Sequence, residues 1–129
     1  MALFALTGGA TGIGAALRQQ LEAQGDQVIT VDIRDGDIIA DLSTPEGRAA
    51  AVAGIRERAG DGLDGFIPCA GVPPVARPLA LIPAVNYFGV VETVAGVRDL
   101  VAQRRGTVLL VASNSAPMVP LDDPYVSAC

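Results

Sequence analysis

A glycine-rich turn near the start of the chain constrains the fold more than any other segment. The run Thr7-Gly8-Gly9-Ala10-Thr11-Gly12-Ile13-Gly14 joins a short apolar stretch directly to a pattern typical of a helix. Glycine at Gly8, Gly12 and Gly14 permits a tight turn, a close approach of backbone to ligand, and close packing of the helix on the strand. Because the first amides of a helix are unpaired and lie at its positive end, the turn is suited to bind a pyrophosphate. An ordinary strand-to-helix corner is the alternative interpretation.

Apolar runs and helical patterns alternate along the rest of the chain. Ile13, Leu17 and Leu21 recur every four residues, which predicts a helix that Gly25 can end. Short apolar or β-branched runs are typical of parallel strands buried on both faces, and they lie at residues 2–6, 28–31, 38–40, 63–69 and 108–111. Because crossovers between parallel strands are right-handed, the pattern predicts an α/β fold with strand order 3-2-1-4-5 and helices on both faces.

Capping patterns predict two further helices. Ser43, with Glu46 three residues later and a proline between them, reads as a capping box that begins a helix. In that helix we expect Ala49, Val52 and Ile55 to face the core and Arg48, Arg56, Glu57 and Arg58 to face solvent. Pro83 can begin a long helix that ends at Arg104-Arg105-Gly106.

The composition argues against several classes of function. A formal charge of −5 disfavours nucleic acid or an anionic membrane as a partner. The two cysteines, Cys69 and Cys129, have neither disulfide nor metal-site spacing, and the chain has no histidine, so no metal site is predicted. No segment approaches the ~20 apolar residues of a membrane span, and no secretory signal is recognisable. We therefore expect a cytoplasmic protein of one domain, residues 1–129.

Asp32 stands eighteen positions after Gly14, at the end of the second predicted strand. An acidic residue there can accept hydrogen bonds from the hydroxyls of an adenosine ribose, and its charge repels a 2′-phosphate. NAD is therefore favoured over NADP, although Arg34 could weaken the preference. A capping or solvated aspartate at a strand end is the alternative.

The spacing Thr-Gly-x-x-x-Gly-Ile-Gly resembles the nucleotide-binding signature of the short-chain dehydrogenase/reductase family at every defining position. The segments 32–35, 40–44 and 86–89 resemble its hydroxysteroid dehydrogenase/carbonyl reductase branch. The resemblance implies a Rossmann-like, doubly wound parallel sheet that binds NAD. It also implies that residues 1–129 are the N-terminal part of a longer domain, lacking the C-terminal strands and helices.

The resemblance also implies which residues bind the cofactor. They are Gly8, Thr11, Gly12, Ile13, Gly14, Asp32, Ile33, Asp41, Leu42, Ala70 and Gly71. Asp41 matches an aspartate that contacts adenine in the family, and a helix-capping acid before Ser43 is the alternative. Pro68-Cys69-Ala70-Gly71 stands where the family has Asn-Asn-Ala-Gly, so only the Ala-Gly part matches.

Ser113 and Asn86 are the catalytic residues that the resemblance implies. Ser113 matches the serine that hydrogen-bonds the substrate carbonyl, and Asn86 begins an Asn-x-x-Gly element that supports a proton path. A loop serine and a tolerated helical asparagine are the alternatives. The family's Tyr-x-x-x-Lys is matched only by spacing, because Tyr125 is followed by Cys129 at the lysine position and the chain has no lysine. Either Tyr125 is the catalytic tyrosine without its partner, or it opens an insertion and the true pair lies beyond residue 129.

The resemblance therefore implies an NAD-dependent oxidoreductase that interconverts a secondary alcohol and a ketone by hydride transfer. Its substrate would be a small alcohol or ketone, steroid-like in the branch named above. We expect these 129 residues alone to be inactive, because a tyrosine without a neighbouring lysine keeps a pKa of about 10. A homo-oligomer is expected only for a full-length protein. The alternative function is a dinucleotide-binding module or sensor without catalysis.

Overall fold

The centre of the computed structural model is a five-stranded parallel sheet, and the structure describes residues 1–118, 122 and 124. The strands are β1 (Leu3–Thr7), β2 (Gln27–Asp32), β3 (Ile38–Ile39), β4 (Gly65–Pro68) and β5 (Thr107–Val108). Their order is β3-β2-β1-β4-β5, and every neighbouring pair is parallel. The predicted α/β fold and strand order are therefore confirmed.

Two long helices and one interrupted helix connect the strands. They are α1 (Gly12–Ala23), α2 (Pro45–Ala59), α3 (Leu81–Pro83), a π-helical turn (Ala84–Phe88) and α4 (Gly89–Gln103), with a 3-10 turn at Ala116–Met118. Gly25 has a φ of +88°, so it ends α1 in the left-handed conformation that glycine adopts freely. Every helix in the described part of the chain is too short or too polar to cross a membrane.

The main core lies between the sheet and the helices α2 and α4. Ala5, Val31 and Phe66 project from three neighbouring strands and cluster with Ile55 of α2 and Val97 of α4. Because strand side chains alternate between faces, the residues between these, such as Leu6 and Ile67, lie on the opposite face of the sheet. The helix α1 contacts β1 and β2.

A short turn replaces a helical connection between β2 and β3. The carboxylate of Asp37 accepts hydrogen bonds from the Thr30 amide (2.9 Å) and the Thr30 hydroxyl (3.0 Å), and the Thr30 hydroxyl accepts from the Asp37 amide (3.0 Å). These bonds fold residues 33–37 back on β2, so that β3 can pair beside it. The turn leaves Ile33 and Arg34 exposed just beyond the end of β2.

The fifth strand is shorter than predicted. Residues 108–111 were expected to form it, but β5 ends at Val108, and Leu109 makes one further bond from its amide to the Phe66 carbonyl (3.0 Å). In a parallel ladder the next bond would run from the amide of residue 68 to the carbonyl of residue 109. Because residue 68 is a proline and has no amide hydrogen, the ladder stops there. Leu109, Leu110 and Val111 are consequently exposed.

The start of α2 differs from the predicted capping box. Thr44, rather than Ser43, is the N-cap, and its hydroxyl accepts a hydrogen bond from the Gly47 amide (3.0 Å). The prediction was wrong by one residue because Ser43 uses its hydroxyl on Asp41 instead. The facing of the helix was also predicted incorrectly at two positions, since Arg48 is buried and Ala49 is exposed. The third predicted helix begins at Leu81, two residues before Pro83.

Candidate functional site

A cleft of about 500 Å³ lies beyond the carboxyl ends of β1, β2 and β4. Parallel α/β sheets bind ligands at this edge, and the volume is that of an ordinary small-molecule site. Ten of the residues predicted to bind cofactor line it: Gly8, Thr11, Gly12, Ile13, Asp32, Ile33, Asp41, Leu42, Ala70 and Gly71. The structure therefore brings together residues that are up to 63 positions apart in the sequence.

The glycine-rich turn forms one end of the cleft and is tightly packed. Gly8 has a φ of +76°, and its amide donates a hydrogen bond to the Val31 carbonyl (2.8 Å). A Cβ atom on Gly8 would lie 2.8 Å from the Ala70 backbone, and one on Gly14 would overlap the Gly8 carbonyl oxygen. Gly14 is buried beneath the turn, so it shapes the cleft without lining it. Larger residues would displace the backbone at both positions.

The N-terminus of α1 points its first amides at this end of the cleft. Within the described residues, the N-cap Thr11 makes no side-chain cap and the first turn carries no acidic residue. Gly12 has a φ of +59°, and nothing lies within 4 Å of a Cβ built on it. An open, uncapped helix N-terminus suits an anion such as a phosphate, because its amides and dipole are uncompensated. These residues fit the pyrophosphate of a dinucleotide.

Asp32 lies beside the turn and ties it to β2. One carboxylate oxygen accepts a hydrogen bond from the Ala10 amide (3.1 Å) and the other accepts from the Arg34 amide (3.0 Å). Each carboxylate oxygen can accept more than one hydrogen bond, so a ribose hydroxyl can still bind. Asp32 thus holds the turn in place and presents a negative charge to the cleft.

Asp41 and Leu42 line the cleft wall next to Asp32. Asp41 accepts hydrogen bonds from the hydroxyl (2.7 Å) and the amide (2.9 Å) of Ser43, and these bonds lower its pKa. This is the local bonding of an acid that precedes a helix, which was the alternative interpretation of Asp41. The residue still faces the cleft, so it lies where an adenine contact is proposed.

The segment Cys69-Ala70-Gly71 forms another wall of the cleft. The Ala70 amide donates to the hydroxyl of the buried Thr7 (3.1 Å), which holds this segment against β1. Cys69 occupies the position of a family asparagine, and burial raises the pKa of its thiol. The thiol is therefore protonated at neutral pH.

Asn86 lies in the π-helical turn and binds the loop that follows Gly71. Its Oδ1 accepts from the Val72 amide (2.8 Å) and its Nδ2 donates to the Val72 carbonyl (3.0 Å). Asn86 itself does not line the cleft, whereas its neighbours Val72 and Val85 do. The structure therefore uses Asn86 to hold a cleft wall, and its proton-relay role stays a prediction.

We expect Asn86→Ala to release the loop at Val72. Loss of both hydrogen bonds should lower the free energy of unfolding by about 1–2 kcal/mol and speed amide exchange over residues 71–73. Gln20→Ala, which removes an exposed amide side chain of α1, is the matched control and should leave exchange at residues 71–73 unchanged. Denaturant unfolding and hydrogen exchange measure both effects, and equal behaviour of the two variants would contradict this role.

Ser113, the other predicted catalytic residue, does not line the cleft. Ser113 is exposed, and its hydroxyl lies 2.6 Å from that of Ser115 and accepts a hydrogen bond from the Ser115 amide (3.1 Å). Among the described residues, Val111 is the part of this segment that lines the cleft. Tyr125 and Cys129 lie outside the described residues.

Sequence reasoning missed several of the residues that shape the site. Ala10 donates its amide to Asp32, Val85 and Val111 line the cleft, and Arg48 bonds the backbone behind it. Ala10 was within the recognised turn, so its position could have been used. The others carry no local signal, because their roles depend on contacts with distant segments.

Comparisons with known proteins give the following similarities. No protein-family model matches the chain. A 3-alpha-hydroxysteroid dehydrogenase/carbonyl reductase from Comamonas testosteroni is 48% identical over 92 residues, which cover 71% of this chain and 36% of that protein. The crystal structure of the 3-alpha-hydroxysteroid dehydrogenase from Pseudomonas sp. B-0831 complexed with NADH has a TM-score of 0.89 and 40% identity, covering 98% of this chain and 48% of that one.

A third similarity is to an oxidoreductase (short chain dehydrogenase/reductase) from Brucella ovis. Its TM-score is 0.73 at 28% identity, and the match covers 84% of this chain and 59% of that one. The chain thus spans less than half the length of the Comamonas and Pseudomonas relatives.

Proposed function

We propose that this chain, which belongs to the short-chain dehydrogenase/reductase family and corresponds to the N-terminal portion of its relatives, binds NAD in the cleft as a single domain. The observation that carries the proposal is the uncapped N-terminus of α1, which opens beside the glycine turn and next to the carboxylate of Asp32. A positive helix end with an acidic group in the same cleft suits a dinucleotide that has a pyrophosphate and a free ribose 2′-hydroxyl. The Pseudomonas relative is described as complexed with NADH, which supports the same choice.

The reaction we propose is the interconversion of a secondary alcohol and a ketone. The cofactor, when bound, would accept the hydride of the alcohol as NAD⁺ or supply a hydride to the ketone as NADH. The chain's own residues bind the cofactor through the amides of Gly12, Ile13 and Gly14, orient its ribose through Asp32, and shape its site through Ala70 and Gly71. Ser113 would hold the substrate carbonyl by a hydrogen bond from its hydroxyl. A steroid-like alcohol or ketone is the proposed substrate class, because two relatives are named hydroxysteroid dehydrogenases.

Proton transfer needs a group beyond those of the cleft. The chain contains no lysine to lower the pKa of a tyrosine, so we propose that these 129 residues alone bind cofactor without turnover. The same observation favours the second candidate function, a dinucleotide-binding module without catalysis. Both candidates share the cleft, and they differ in whether the acid/base pair exists in the complete protein.

Titration calorimetry of the 129-residue chain with NAD and NADP tests the proposal. We expect one NAD bound per chain, and NAD bound more tightly than NADP. Absence of heat at millimolar NAD would refute the cofactor assignment.

In a parallel assay the chain is mixed with NAD and a 3α-hydroxysteroid, and no NADH absorbance is expected. Formation of NADH at a rate proportional to protein would overturn the proposed lack of turnover.

A further inference from the structure

We propose that Arg48 is a positioning residue that holds two walls of the cofactor cleft at a fixed separation. The inference deepens the proposed function, because it assigns to a residue outside the cleft the placement of residues inside it. Arg48 lies on α2, behind the cleft, and was expected to be exposed. Its side chain is 8% exposed, a degree of burial that an arginine tolerates only with bonded partners.

The guanidinium bridges the backbones of the two walls. Its Nη1 donates to the Leu42 carbonyl (3.0 Å) and to the Ala84 carbonyl (3.2 Å). Leu42 lines the cleft, and so does Val85, the residue after Ala84. One nitrogen atom therefore sits between two segments that are 42 positions apart in the sequence and that face the same ligand space.

Two further contacts anchor the guanidinium itself. Its Nε forms an ion pair with Glu92 of α4, and its Cζ lies 5.8 Å from the centre of the Phe88 ring. The four partners of the guanidinium come from the Leu42 segment, the π-helical turn and α4. Because the planar guanidinium has five donors in a fixed arrangement, it can satisfy them together. A lysine has the charge but lacks that geometry.

Arg48 also contacts the π-helical turn that interrupts the helix between α3 and α4. Within the π-helical turn the Gly89 amide donates to the Ala84 carbonyl five residues earlier, and that carbonyl also accepts the bond from Arg48. Insertion of a side-chain donor into a helical hydrogen-bond ladder is a recognised cause of local irregularity in a helix. The turn carries Asn86 and Val85, so its placement affects both the Val72 loop and the cleft wall.

Arg56 provides a control, because it links the same two helices without contacting the cleft. Its guanidinium also joins α2 to α4, through Asp99 (2.7 and 2.9 Å) and the Gly96 carbonyl (2.9 Å). Neither Gly96 nor Asp99 lines the cleft. Arg56→Met is therefore a matched control, since it removes an inter-helix ion pair and a carbonyl bond without touching a cleft wall.

The experiment compares Arg48→Met, Arg48→Lys and Arg56→Met with the unmodified chain, well below their unfolding temperatures. Hydrogen exchange is measured first without ligand, and NAD and AMP affinities follow by calorimetry. Arg48→Met should speed exchange over residues 41–43 and 84–89 and weaken NAD and AMP by about tenfold. Arg48→Lys, which retains the charge, should weaken both by about threefold. Arg56→Met should change neither affinity by more than about twofold.

The exchange data decide the inference by themselves. If Arg48→Met and Arg56→Met show the same exchange at both walls, the positioning role is wrong. If Arg48→Met does not fold, the same comparison is made with Arg48→Lys. If the unmodified chain binds no NAD, the cofactor assignment fails, whereas faster exchange confined to the two walls would still uphold the bridge.

Discussion

Gly14→Ala should reduce the affinity for NAD by about a hundredfold or more, because a displacement of about 1 Å in a binding turn has effects of that size. A Cβ atom on Gly14 would overlap the Gly8 carbonyl oxygen. Gly8 cannot retreat, since its amide is bonded to Val31 (2.8 Å) and its α-carbon faces the Ala70 backbone. The atoms that the added Cβ would meet are all backbone atoms of the glycine turn, which no side-chain rotation can move away. Either the turn or α1 must therefore shift. Both changes displace the amides proposed to bind the pyrophosphate.

A matched variant separates this effect from the ordinary cost of replacing a glycine. Gly25 lies at the other end of α1 with a φ of +88° and open space around it. Gly25→Ala should therefore lower the free energy of unfolding by about 1 kcal/mol and leave NAD affinity unchanged. Calorimetry with NAD and thermal unfolding of both variants give the comparison. Affinity equal to that of the unmodified chain in a folded Gly14→Ala protein would contradict the packing argument.

Asp32→Asn should reduce the preference for NAD over NADP by about a hundredfold. In the unmodified chain, a carboxylate that faces the 2′-phosphate of NADP costs several kcal/mol of binding free energy. The substitution removes the charge at nearly constant shape, so repulsion of the 2′-phosphate disappears. NAD itself should bind less tightly, because the asparagine amide group would face a backbone donor, either the Ala10 or the Arg34 amide. The exposed Arg34 lies two residues away and can attract a 2′-phosphate once the carboxylate is gone.

The control is Asp35→Asn in the same exposed turn. It makes the same change in net charge three residues from Asp32, so any long-range electrostatic effect is shared between the two variants. We expect its ratio of NAD to NADP affinity to remain within about twofold of the unmodified chain. Tighter binding of NADP than NAD by the unmodified chain would refute the role given to Asp32.

The sequence predicted the sheet and the glycine turn because both depend on local patterns. Short β-branched runs bounded by turn residues indicate buried strands. Glycines at fixed spacing indicate a turn whose backbone packs closely against the adjacent helix and ligand. Errors arose where the hydrogen bonds of individual residues, rather than periodicity, decide the structure. β5 is short because Pro68 on the adjacent strand has no amide to offer, and Thr44 caps α2 because Ser43 bonds Asp41.

By itself, then, the sequence determined the strand order, the turn that opens α1 and the acidic residue at the end of β2. Hydrophobic periodicity and glycine conformation are properties of neighbouring residues, so they can be read along the chain. Only the tertiary structure decided that Arg48 turns inward and that Asn86 bonds Val72. The reason is that polar side chains find their hydrogen-bond partners in space, and those partners lie on segments that the sequence separates.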